Sequence, residues 1–75
     1  MTDIIGLRSA MIRKGYTFET LADAIGISRQ SMSYKANNIR EFKASEIANI
    51  VNAIELTPEE VQSIFFTNTV DKKST

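Results

Sequence analysis

The sequence predicts an all-α domain of five short helices, and three observations carry that prediction. Cap-forming residues stand just ahead of apolar segments at Thr2, Thr17, Ser28 and Thr57. Glycine closes two of those segments, at Gly15 and Gly26. Apolar residues recur at spacings of three and four, and no stretch alternates apolar with polar residues for long enough to make a strand.

Each element follows from local chemistry. Thr2 is expected to cap a first helix whose Ile4, Ile5, Leu7, Met11 and Ile12 supply an apolar stripe. Arg13 and Lys14 complement its C-terminal dipole, and Gly15 takes the left-handed position just beyond. Thr17 caps a second helix, Phe18 to Ile25, with Tyr16 and Leu21 placed as a hydrophobic staple. Gly26 stops that helix after about two turns. Only Ile27 separates Gly26 from Ser28, the cap of a third helix running from Arg29 to about Asn37, with Ile27 and Met32 as a second staple. So short a connection excludes an antiparallel pair and predicts a steep crossing, as in a helix-turn-helix.

Residues 37–43 read as a loop with Ile39 and Phe42 tucked beneath it. A fourth helix, Ala44 to Ile54, aligns Ile47, Ile50, Val51 and Ile54 on one face. Thr57-Pro58-Glu59-Glu60 is a capping box with proline in the first turn, and Leu56 and Val61 form a third staple. The fifth helix runs from Pro58 to about Phe66 and buries Val61, Ile64 and Phe65. The expected organisation is one domain over residues 1–66 and a flexible polar tail over 67–75. At 75 residues, such a domain buries about 62% of the surface its unfolded chain exposes, so capping and patterning matter.

Composition excludes several functions. The chain has neither cysteine nor histidine, which removes disulfides, thiolate metal sites and the usual proton shuttle. No apolar run approaches the roughly 18 residues of a membrane span, and the start lacks the basic residues of a signal peptide. The expectation is a cytoplasmic protein with no membrane association and no cofactor. Catalysis is not expected. Glu59 and Glu60 diverge by about 100° around a helix, so capping explains them better than a shared site. The serines have no histidine to activate them, and Gly6, Gly15 and Gly26 are too far apart for a phosphate loop.

Nine basic residues balance nine acidic ones, yet the distribution is uneven. Residues 26–43 carry Arg29, Lys35, Arg40 and Lys43 against Glu41, a net +3, whereas residues 44–75 carry a net −3. Such a difference arises by chance on small solvated faces, or it marks a contact surface if another feature singles out the segment.

The other feature is the stretch TFETLADAIGISRQSMSYKANN, residues 17–38. It resembles the helix-turn-helix of the phage repressor and Cro family, the lambda-repressor-like or XRE-type DNA-binding domains. The similarity lies in Leu21-Ala22, the turn Ile25-Gly26-Ile27-Ser28, and the inward Met32. It extends over roughly residues 4–66, including Leu7-Arg8, Lys14 to Thr17, and Ile47 through Thr57. The resemblance implies that the third helix enters the major groove with its first residues against base edges. Arg29 and Gln30 suit that role, because arginine pairs bidentately with guanine and glutamine with adenine. Tyr34, one turn on, shares the face of Gln30 and is placed for a thymine methyl or a phosphate. Ser28, Ser31 and Ser33 are short enough to let the helix approach closely. Asn38, Arg40 and Lys43 are placed for phosphates, which set register. The alternative is that Arg29, Gln30 and Ser31 form only a solvated first turn.

Three positions depart from the family. Where relatives usually carry a polar residue, most often glutamine, at the start of the second helix stands Phe18. Where some relatives carry a buried arginine–glutamate pair stand Met11 and Ala36. Phe18 and the neutral total charge fit a second function, in which the same surface engages a partner phage repressor and blocks its DNA helix. The expected partners are therefore double-stranded operator DNA or such a repressor. Phe66, beside the inward Phe65, either folds onto the core edge near the first helix or makes a contact across a symmetric homodimer.

Overall fold

The computed structural model describes residues 1–66; the tail expected over 67–75 lies outside the described residues. Among the described residues the chain is all helical, with α1 Ile4–Arg13, α2 Phe18–Ile25, α3 Arg29–Ala36, α4 Ala44–Ile54 and α5 Pro58–Phe65. Helix α2 packs against both α3 and α4, and α1 packs against α5. One core results. Its largest fully enclosed side chains are Leu7, Leu21, Met32, Ile50 and Ile54, one from each of α1 to α3 and two from α4. Ile64 and Phe65 close it from α5, where Phe65 meets Phe42 edge-to-face with ring centroids 5.5 Å apart.

The caps organise the fold. Thr17 accepts the Thr20 amide through Oγ1, and Thr57 accepts that of Glu60 while Glu60 reaches back to the Thr57 amide at 2.9 Å. Ser28 Oγ accepts the Ser31 amide at 3.0 Å. The end of α2 is a Schellman arrangement: Ile27 N–H donates to the Ala22 carbonyl and Gly26 N–H to that of Asp23. Gly26 has φ +79°, and a Cβ there would meet nothing within 4 Å. The cost of Gly26→Ala is therefore backbone strain alone, expected at about 1–2 kcal/mol. A urea unfolding curve checks it; an unchanged midpoint would show that the turn relaxes freely.

The start of α1 differs from expectation. Asp3, not Thr2, is the cap, accepting the Gly6 amide through its carboxylate. Thr2 is buried because Asn38 clamps its backbone: the Thr2 N–H donates to Asn38 Oδ1 at 2.7 Å, and Asn38 Nδ2 donates to the Thr2 carbonyl at 2.9 Å. The Asp3 amide is taken up by the Ile64 carbonyl at 2.7 Å. Two flanking contacts thus place the N-terminal segment one residue out of the register that local capping suggests.

The apolar stripe of α1 is also narrower than expected. Leu7, Ala10 and Met11 are buried, whereas Ile5 and Ile12 are 75% and 76% exposed. These two isoleucines are seven residues apart, two turns along one outward face, and nothing among the described residues covers that face. In the loop after α3, Phe42 packs on the core as expected, but Ile39 is 67% exposed. The backbone turns at Asn38, which has φ +65°, and leaves Ile39 on the outside.

Candidate nucleic-acid interface

Helix α3 presents two unlike faces. Met32 and Ala36 sit in the core, while Arg29 and Gln30 are exposed in the first turn. Gln30 and Tyr34 share the outer face, and Gln30 Nε2 donates to the Tyr34 hydroxyl at 3.0 Å. That bond holds the glutamine amide on the surface of α3 rather than leaving it to sample many rotamers.

Around that turn the fold gathers residues from three elements. A groove is lined by Arg8 of α1, Phe18 of α2, and Arg29, Gln30, Ser33 and Tyr34 of α3. Phe18 is half-buried against the core, and the Arg8 guanidinium lies 4.8 Å from its ring centroid. At the far end, the Arg40 guanidinium lies 6.0 Å from the Tyr34 ring centroid. Arg8 and Arg29 thus line one groove with Phe18 and Tyr34, and Arg40 lies beside the Tyr34 ring.

Of the other predicted site residues, Ser28, Ser33 and Asn38 make hydrogen bonds within the fold. Ser28 uses its hydroxyl as the α3 cap, and the Ser33 carbonyl accepts a bond from Asn37 Nδ2 at 2.8 Å; Ser31 and Ser33 are half-buried. The Asn38 carboxamide is committed to Thr2, so its clear role is to tie the loop to the N-terminus. Lys43 precedes α4, where its amide donates to Glu46 Oε1 at 2.8 Å; as a residue it stays exposed. Phe66 is 53% exposed at a groove shared with Met1, Thr2, Phe42 and Phe65, beside the N-terminal segment and away from α3's outer turn.

The charge along the sequence is not the charge on the surface. Lys35, counted with the basic middle, is buried and held by both oxygens of Glu46 at 2.7 and 2.6 Å. Arg13 pairs with Glu60 at 2.6 Å, and Lys14 with Glu55 at 3.1 Å. Among the described residues Arg8, Arg29, Arg40 and Lys43 have no such carboxylate partner. Burial raises the pKa of Glu46, but the Lys35 hydrogen bonds and charge, with the Lys43 amide, outweigh it and hold the carboxyl below its ordinary value. The Glu60 carboxyl is also lowered, first by the Thr57 amide and then by Arg13.

Arg8 is the one member of this surface that sequence reasoning missed. Its only signal is negative: it falls outside the Leu7–Ala10–Met11 stripe of α1, and nothing local places it over Phe18, ten positions on. Among the described residues no group of three or more acidic side chains is placed to hold a metal ion, and no helix is long and apolar enough to cross a membrane.

Fold and site together define a small all-helical domain in which, among the described residues, the arginines without a carboxylate partner, Arg8, Arg29 and Arg40, come from α1, α3 and the loop after α3. A family profile described as "Protein of unknown function (DUF739)" matches residues 2–68, nearly the whole chain, and the protein belongs to that family. A search of curated proteins gave no match.

Proposed function

We propose that this protein is a transcription regulator of phage or prophage type that binds operator DNA. In this reading α2 and α3 form a lambda-repressor-like helix-turn-helix, and α3 lies in the major groove. The observation that carries it is the state of the cations among the described residues: three are neutralised by the chain's own carboxylates, while Arg29 stands exposed and without such a partner beside Gln30 at the start of α3. Arg29 and Gln30 read base edges. Arg40 and Lys43 supply phosphate contacts, and Tyr34 braces Gln30.

Arg29→Ala is expected to cost about 1–3 kcal/mol of operator affinity and to relax preference at one base pair. The measurement is selection of a preferred duplex from a random pool, followed by gel-shift titration of protein and variant. With Arg40 and Lys43 on phosphates, the affinity should fall with salt at a logarithmic slope of about −2. Retention of full affinity and preference by the variant would remove Arg29 from the interface.

A second reading is favoured by a specific feature. A groove beside the same surface is lined by Met11, Ile12, Tyr16 and Phe18 together with Arg8 and Arg29. Such an apolar groove suits capture of a partner phage repressor. In that case the purified protein shows no salt-sensitive DNA binding, and Phe18→Ala abolishes repressor capture in a pull-down.

A further inference from the structure

We propose that Arg8, carried on the ring of Phe18, binds a DNA phosphate and so fixes how α3 sits against the duplex. The inference rests on the operator-binding reading and adds to it a contact from α1, outside the two helices that reading uses. Three observations bring it forward. The Arg8 guanidinium lies over the Phe18 ring, 4.8 Å from its centroid. Both of these grooves beside Arg8 also contain Phe18 and Arg29, and among the described residues neither contains an aspartate or glutamate. The other arginine of α1, Arg13, is tied to Glu60 at 2.6 Å, so among the described residues α1 carries one neutralised arginine and one without a carboxylate partner.

The chemistry of that arrangement favours an oxyanion. A guanidinium is planar, always charged and weakly hydrated, and it stacks on an aromatic face while its edge donors bond a phosphate. The ring both attracts the cation and limits its rotamers, so less entropy is lost when an anion arrives. Phe18 cannot bond a phosphate itself, but it serves as the platform from which Arg8 does. A phosphate contact from α1, set apart from base-reading Arg29 and Gln30, fixes position without carrying sequence preference.

The test is fluorescence anisotropy of a short mixed-sequence DNA duplex with the full-length protein, across about 50 to 200 mM salt. Arg8→Ala is expected to weaken binding about ten-fold at the low end and to reduce the slope by about 0.9. The loss should be the same on duplexes of different sequence. Arg8→Lys keeps the slope but loses part of the affinity, because the ammonium lacks the stacked fork. Phe18→Leu keeps an apolar side chain against the core and is expected to weaken binding about two- to five-fold, an effect that vanishes when Arg8 is already alanine. Arg13→Ala, which removes the same charge from the same helix, should leave the slope unchanged. If Arg8→Ala binds like the parent while Arg29→Ala is weakened, the Arg8 contact is wrong and the operator reading stands. If the parent protein binds no duplex in a salt-dependent way, the operator reading itself fails, and this contact with it.

Discussion

Glu46→Ala is expected to destabilise the domain by about 3–5 kcal/mol, because it leaves the Lys35 ammonium buried without a counter-charge. The two side chains are only 10% and 9% exposed, and both carboxylate oxygens engage Lys35. A domain of this size has about 4–11 kcal/mol of stability in total, so the variant should be largely unfolded under mild urea. Replacing both partners, Lys35→Met with Glu46→Leu, should cost far less, since apolar groups fill the space without stranding a charge. The residual cost is the Lys43 amide, which loses its acceptor. Acid titration supplies an independent reading. The Glu46 carboxyl titrates below its ordinary value of 4.5 in the folded chain. Its contribution is therefore complete above about pH 4.5 and declines as the pH falls through the lower native value. Glu46→Gln should flatten that acid limb of a stability profile. Equal stability of Glu46→Ala and the parent would mean that water reaches Lys35.

Met32→Ala is expected to cost about 2–5 kcal/mol, as a cavity opens beneath α3. Met32 is completely enclosed and is the largest side chain by which α3 enters the core. Each kcal/mol corresponds to about 4–8 °C in Tm for a domain of this length, so a thermal melt by circular dichroism resolves the change easily. Its functional consequence separates it from Arg29→Ala. Loss of Met32 should lower the melting point and weaken every contact of the α3 surface together, whereas loss of Arg29 should leave the melt unchanged. A Met32→Leu variant, which conserves volume, should restore most of the stability.

Much of the fold was legible because small helices depend on their ends. Thr17, Ser28 and Thr57 cap α2, α3 and α5 as their side-chain chemistry predicts. The limits of α2 and α4, Phe18–Ile25 and Ala44–Ile54, are those the apolar spacing implies. The errors fall where two segments far apart in sequence compete for one position. Thr2 and Asp3 are both competent caps, and only the Asn38 clamp and the Ile64 carbonyl, both distant in sequence, decide between them. Ile5 and Ile12 are as apolar as Ile4 and Leu7, and only the packing of α1 against α5 decides which side faces inward.

For the candidate site the division is similar. Exposure of Arg29 and Gln30, and the Gln30–Tyr34 bond, follow from helix periodicity once Ser28 is the cap. The roles of Lys35 and Arg8 do not. Lys35 meets Glu46 across a loop, eleven positions away, and Arg8 meets Phe18 across the turn between α1 and α2. A count of charges along residues 26–43 therefore includes one cation the fold hides and omits one it adds.

From its amino acids alone, this chain determines that it forms five short helices, where most of them start, and which first-turn side chains of α3 stay outside. Those features depend on neighbours within about four residues, the reach of a capping hydroxyl or a helical turn. Which charges remain unpaired was decided only by the assembled helices. Salt bridges and arginine–ring contacts join residues whose separation along the chain carries no periodic signal, so the candidate surface exists only once the core has set its helices side by side.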